Sequence, residues 1–110
     1  MQKELPVQIQ TILKETYKEL KTVYSDHLRE IILFGSYARG DFMNESDIDL
    51  IILLDKIKDI ASESDRYRSV ISRISLKYDK IVSIIPFNFE EFYKKTTPLI
   101  LNVKKEGIKI

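Results

Sequence analysis

The sequence predicts a single domain, residues 1–110, of mixed α/β (α+β) class, in which a small mixed β-sheet of three or more strands is flanked by helices. Two short apolar runs, residues 30–34 and 48–54, have the length and composition of buried strands. Amphipathic stretches with helical spacing lie before and after this pair. The predicted order is helix, strand, strand, helix, strand, helix, helix, which is typical of a sheet covered by helices.

The first half of the chain is predicted to hold one long helix and two strands. Apolar residues recur at helical spacing from Pro6 to about Tyr24. Residues 30–34 form a β-branched run that stops at a glycine, as a buried strand does. Residues 48–54 are apolar at both odd and even positions beyond their first acids. Such a strand is buried on both faces, so we expect it to be central in the sheet.

The second half is predicted to hold a long helix, a third strand and two shorter helices. Residues 62–78 have helical periodicity, and residues 81–85 form a strand that Pro86 is expected to end. Asn88, with an acid three residues later, is typical of a helix N-terminus. Thr97 precedes a proline, which favours a second helix start at that point.

A glycine–serine bend follows the first strand. Gly35 permits backbone angles that are closed to other residues and lets the chain approach a ligand closely. Ser36 is expected to cap a following helix. Free backbone N–H groups at that helix start suit a phosphate. Arg39 would either contact the phosphate or pair with a neighbouring carboxylate, and both interpretations stay open.

Two aspartates begin the second strand, separated from the bend by ten residues. Asp47 and Asp49 lie at positions i and i+2, which point to the same side of a strand. Carboxylate oxygens are ligands that Mg²⁺ prefers, usually together with substrate phosphates. A phosphate-binding bend beside a metal-binding carboxylate pair is the combination that nucleotidyl transfer requires.

These motifs resemble a known family. Gly35-Ser36, followed after ten residues by Asp47-x-Asp49, is similar to the signature of the polymerase-β-like nucleotidyltransferase superfamily. The wider segments 33–41 and 46–50 look like its minimal, single-domain MNT branch. Residues 97–108 are similar to the closing helix of that branch.

The resemblance implies a polymerase-β-like fold and a Mg²⁺-dependent transfer of a nucleoside monophosphate, AMP from ATP, to a protein acceptor. It implies that Gly35, Ser36 and Arg39 bind the nucleotide, and that Asp47 and Asp49 are the catalytic metal ligands. It also implies a partner, a HEPN-domain toxin, to which the MNT protein is the antitoxin in a hetero-oligomer. MNT antitoxins can AMPylate a tyrosine of that toxin.

One position departs from the family pattern. The family carries a third acidic residue on a neighbouring strand, where this chain has Ser83. A neutral serine cannot act as a carboxylate base. Asp79 shares the parity of Ser83 and could substitute only if the strand began there. The alternatives are therefore a catalytically impaired, nucleotide-binding antitoxin that acts by binding alone and, ranked last, a small-molecule adenylyltransferase.

Composition excludes several other classes. The chain is 44% hydrophobic and 32% charged, and its net charge is +1. It therefore has no strong positive electrostatic field that would favour binding to nucleic acid. It has no cysteine, which excludes disulfides and thiolate metal sites. No apolar run reaches the roughly 20 residues that span a bilayer. Residues 1–6 carry no apolar signal core, so the cytoplasm is the expected location.

Overall fold

A computed structural model describes residues 4–110, which form a four-stranded sheet with helices on both faces. Residues 1–3, which begin the segment expected to lack a signal core, lie outside the described residues. The strands are β1 (Leu28–Phe34), β2 (Ile48–Leu54), β3 (Val82–Asn88) and β4 (Ile108–Lys109). The helices are α1 (Val7–Tyr24), α2 (Ser36–Arg39), α3 (Ser64–Tyr78), α4 (Phe89–Lys94) and α5 (Pro98–Glu106). Two 3₁₀ turns, Ser25–His27 and Ile60–Glu63, precede β1 and α3.

The sheet is mixed, as the sequence predicts. Its strand order is β3-β2-β1-β4. β1 pairs antiparallel with both β2 and β4, whereas β2 and β3 run parallel. β2 therefore has a hydrogen-bonded neighbour on each side, and the prediction that this strand is central is confirmed.

Each face of the sheet has its own hydrophobic core. Ile48, Leu50, Ile52 and Leu54 of β2 belong to the core that includes α1 and α3, and Ile51 and Leu53 belong to the core that includes α4 and α5. The alternation along β2 thus serves two layers of helices. By the same alternation, Asp49 lies on the face of α4 and α5.

Several boundaries differ from the predicted ones. β3 does not end at Pro86 but continues to Asn88, with Pro86 paired to Ile52. The reason is that β3 is an edge strand, where a missing backbone N–H on the open side costs no ladder hydrogen bond. β1 begins two residues earlier than predicted and α3 two residues later. The two-residue β4 is too short to leave a periodic signal and was not predicted.

The predicted starts of the last two helices are confirmed. The side chain of Asn88 accepts hydrogen bonds from the backbone N–H groups of Glu90 and Glu91 at 3.1 and 3.3 Å. Thr97 accepts one from the N–H of Ile100 at 3.4 Å, with proline in the first turn of α5. Among residues 4–110, no helix has both the length and the apolar character that crossing a membrane requires.

Truncation of a side chain in β2 should unfold the protein far more readily than the same change on the surface. Leu50 is 0% exposed, whereas Leu101 on α5 is 49% exposed. We expect Leu50→Ala to lower the free energy of unfolding by about 2–5 kcal/mol, because a buried cavity forms. Leu101→Ala should change it by about 0.5 kcal/mol or less. Urea unfolding measures both, and equal losses would contradict this assignment of the core.

Candidate active site

The bend after β1 depends on a glycine with a positive φ. Gly35 has φ 78° and ψ −155° and is the N-cap residue of α2. The backbone N–H groups of Ala38 and Arg39 both donate to the Gly35 carbonyl oxygen, at 3.1 and 3.0 Å. The N–H groups of Ser36 and Tyr37 precede the first such bond, so the helix itself offers them no acceptor.

The expectation that Ser36 caps this helix is wrong. Ser36 is the first helical residue, Gly35 occupies the cap, and no side chain caps the helix start. The reason is that the chain turns at Gly35, whose positive φ already reverses the backbone direction. The helix is also only four residues long, because Gly40 adopts a left-handed conformation and ends it.

The carboxylate of Asp49 lies directly against this bend. A Cβ atom built on Gly35 would lie 2.5 Å from Oδ2 of Asp49 and 3.3 Å from its Cγ. The contact follows from strand pairing, since Phe34, the last residue of β1, is the register partner of Asp49. The backbone of the bend and the aspartate carboxylate are therefore in van der Waals contact, and no larger residue at position 35 leaves both in place.

The negative charge of Asp47 acts on the carboxyl group of Asp49. Asp47 is exposed just before β2, and Asp49 is partly buried at the second position of the strand. Burial raises the pKa of Asp49, the negative charge of Asp47 raises it further, and Arg39 lowers it. Within residues 4–110, no group of three or more acidic, histidine or cysteine side chains could hold a metal ion. Asp47 and Asp49 alone are fewer ligands than such a group contains.

Arg39 is exposed at the end of α2. Its Nε donates to Oδ2 of Asp41 at 3.2 Å. An exposed ion pair of this kind contributes about 1 kcal/mol or less, so it does not fix the guanidinium in place. Arg39 also lies close enough to Asp49 to lower that residue's pKa. Of the two predicted roles of Arg39, phosphate contact or pairing with a carboxylate, the structure contains the ion pair, with Asp41. The Arg39 side chain still interacts electrostatically with Asp49.

Ser83 of β3 is the register partner of Asp49. Ser83 is exposed and lies on the same face of the sheet as Asp49, on the strand next to β2. Asp79 does not begin this strand: it is the left-handed C-cap residue of α3, with φ 52°, and β3 starts at Val82. The condition under which Asp79 could substitute for a carboxylate at position 83 is therefore not met.

One opening in the surface is lined by Gly35, and another is lined by Asp47. A pocket of about 200 Å³ lies toward α5, and a groove of about 550 Å³ lies toward the end of α3. The pocket is lined by Phe34, Gly35, Arg39, Leu99, Asn102 and Glu106. The groove is lined by residues that include Asp47, Leu76, Asp79 and Ile81. Sequence reasoning missed the contributions of α3 and α5, because nothing in their local patterns indicates which end of the sheet they reach.

The chain is similar in sequence to known nucleotidyltransferases. The nucleotidyltransferase domain family matches residues 12–110. The chain is 40% identical over 106 residues to a Methanocaldococcus jannaschii protein named "Putative protein adenylyltransferase MJ0141", covering 94% of this chain and all of that protein. It is 28% identical over 75 residues to the protein adenylyltransferase MntA of Thermococcus cleftensis, covering 68% of this chain and 74% of that protein.

Solved structures share the fold. One is a toxin–antitoxin complex with AMP-PNP, with a TM-score of 0.58 and 22% identity, covering 86% of this chain and 68% of that chain. Another holds a tri-AMPylated Shewanella oneidensis HEPN toxin with an MNT antitoxin, with a TM-score of 0.53 and 20% identity, covering 89% and 70%. These likenesses confirm the predicted fold, and the family match confirms the resemblance seen in the sequence. The chain belongs to the nucleotidyltransferase domain family.

Proposed function

We propose that this protein is a Mg²⁺-dependent adenylyltransferase that moves AMP from ATP to a hydroxyl group of a partner protein, a HEPN toxin, and that it is the antitoxin of that toxin. The observation that supports this most is the contact between the Gly35 backbone and the Asp49 carboxylate, with Asp47 beside it. It brings a phosphate-accepting bend and a metal-accepting carboxylate pair together in one place.

The bend would hold the triphosphate. Gly35 has no side chain between the backbone and an incoming phosphate, and the N–H groups of Ser36 and Tyr37 can donate to phosphate oxygens. Arg39 would add a charge-assisted hydrogen bond by leaving its exposed pair with Asp41. The pocket beside Gly35, which Leu99 and others line, leaves room for the nucleoside.

Asp47 and Asp49 fit a divalent cation. Burial and, next, the charge of Asp47 raise the pKa of Asp49, and both carboxylates are hard oxygen ligands of the kind that Mg²⁺ prefers. When bound, Mg²⁺ would supply positive charge that offsets the charge developing on the phosphates. Because the described residues offer only this pair, the remaining ligands would be substrate oxygens and water.

The proposed transfer is a displacement at the α-phosphorus of ATP. The acceptor hydroxyl oxygen forms a bond to this phosphorus, the bond to the oxygen that bridges to the β-phosphate breaks, and pyrophosphate leaves. Ser83 faces Asp49 but is no carboxylate base, so we assign the hydroxyl proton to water. Use of ATP agrees with a cytoplasmic location.

The partner is proposed from the comparisons. Relatives are named protein adenylyltransferases, and one similar structure holds an AMPylated HEPN toxin with its MNT antitoxin. These names support a protein acceptor and a hetero-oligomer with a HEPN toxin. The binding of AMP-PNP in another similar complex supports ATP as the donor.

A second function, neutralisation of the toxin by binding alone, is favoured by one observation. Ser83 places a neutral hydroxyl opposite Asp49, where an additional carboxylate would strengthen both metal binding and proton removal. In this alternative the nucleotide site is retained but transfer does not take place.

The transfer itself is tested with labelled ATP, Mg²⁺ and the proposed HEPN partner. We expect labelled AMP on the HEPN protein, and a loss of about 100-fold or more in Asp47→Asn/Asp49→Asn, because the charge that holds the metal is removed. EDTA should abolish the label. A matched control is Asp26→Asn/Asp65→Asn, which changes two exposed aspartates in the turn before β1 and at the start of α3. This control should keep full activity.

Two results would replace transfer by the alternative function. One is the absence of label with the wild-type protein. The other is full protection of cells from the toxin by Asp47→Asn/Asp49→Asn, with circular dichroism showing an intact fold. Protection that needs both aspartates supports the enzyme.

The charge of Asp49 should make the metal-free protein less stable as the pH rises. Its pKa is raised above the usual 3.8, so folding favours the neutral acid, and stability is lost as the pH rises through the folded-state pKa. We therefore expect Asp49→Asn to unfold at a higher temperature than the wild type at pH 7 in EDTA. The difference should shrink as the pH falls below 4. A variant less stable than the wild type at pH 7 would contradict this account of the carboxylate pair.

A further inference from the structure

We propose that the groove beside Asp47 receives a positively charged, partly apolar segment of the acceptor protein, which presents its hydroxyl to the aspartate pair. We call it the acceptor groove and define it by Glu45, Asp47, Leu76, Asp79, Lys80 and Ile81. This inference rests on the proposed function and adds to it the route and the chemistry of the acceptor.

The position of the groove suits an acceptor. Asp47 lines the groove, whereas Gly35 and Arg39 line the separate pocket toward α5. In an in-line displacement, the attacking and leaving oxygens stand on opposite sides of the phosphorus. In the proposal the donor triphosphate lies on Gly35 in the pocket, and the acceptor hydroxyl reaches Asp47 from the groove.

The groove exposes two large apolar side chains that are held in place. Leu76, near the end of α3, is 84% exposed, and Ile81, just before β3, is 62% exposed. Their backbone is ordered: the N–H of Lys80 donates to the Ser75 carbonyl oxygen at 3.1 Å, and that of Ile48 donates to the Ile81 carbonyl oxygen at 2.9 Å. In the proposal these two apolar side chains contact the apolar centre of the acceptor segment.

The charge of the groove selects the class of partner segment. Three of its lining residues, Glu45, Asp47 and Asp79, are acidic, and Lys80 is its one basic lining residue. The Lys80 ammonium group donates to the Asn44 carbonyl oxygen and lies 5.5 Å from the centre of the Tyr37 ring. The groove is therefore negative in a chain whose net charge is +1. A segment with lysine or arginine around an apolar centre is complementary to it in both respects.

Two labelled peptides test the proposal by fluorescence anisotropy. One has the sequence Lys-Lys-Leu-Tyr-Leu-Lys-Lys, and the other replaces each lysine by glutamate. We expect the basic peptide to bind the wild type at least about tenfold more tightly than the acidic peptide. Leu76→Lys/Ile81→Lys should weaken binding of the basic peptide by about tenfold or more. Val7→Lys/Leu101→Lys, which adds the same two charges at exposed positions outside the groove, is the matched control and should bind as the wild type does.

The charge contribution is separated by Glu45→Gln/Asp79→Asn, which keeps the size of both side chains and should weaken binding of the basic peptide several-fold. Equal binding of the two peptides, no binding of either, or wild-type binding by Leu76→Lys/Ile81→Lys would each overturn the proposal. Binding of a fluorescent ATP analogue with Mg²⁺ is measured on the same samples. Its absence in the wild type would overturn the proposed function, whereas the peptide result decides on the groove.

Discussion

The contact between the Gly35 backbone and the Asp49 carboxylate depends on the antiparallel pairing of β1 with β2. The register places Phe34, the residue before the glycine, opposite Asp49. A shift of one residue would turn Asp49 toward α1 and α3 and would put a buried leucine or isoleucine on the opposite face. The register is held because β2 has apolar side chains on both faces, each packed in its own core. The geometry of the site is thus a consequence of the two cores.

The partly buried charge of Asp49 and its neighbour Asp47 lower the stability of the fold. Asp49 is partly buried, has Asp47 as a charged neighbour, and has a raised pKa as a result. Within residues 4–110, its compensating positive charge comes from Arg39, which is engaged with Asp41. Two like charges at one end of a well-packed strand repel each other in the cation-free protein. A cation bound between them would offset that repulsion. The proposed function explains why such an arrangement is present.

The sequence predicts much of this site because the informative signals are local. The stop of one apolar run at Gly35 and the start of another at Ile48 are visible in the chain; β2 has the predicted bounds, and β1 ends where predicted but begins two residues earlier. The central position of β2 follows from its apolar residues on both faces. Asn88 and Thr97 mark helix starts through their own side chains.

What the sequence does not predict depends on contacts distant in the chain. Pro86 lies inside β3 because that strand is at the edge of the sheet, which only the assembled topology determines. The packing of α3 brings Leu76 to the groove that Asp47 lines, and the packing of α5 brings Asn102 to the pocket that Gly35 lines. The cap at Gly35 was missed because a serine follows it, and serine is the commoner cap residue.

The most direct measurement is a crystal structure of this protein with Mn²⁺ and AMP-PNP, in which the anomalous signal locates the metal. We expect manganese bound with carboxylate oxygens of Asp47 and Asp49 about 2.0–2.3 Å away. We also expect phosphate oxygens within hydrogen-bonding distance of the backbone N–H groups of Ser36 and Tyr37. A triphosphate bound elsewhere, or a metal that leaves both aspartates without a metal bond, would contradict the proposed function.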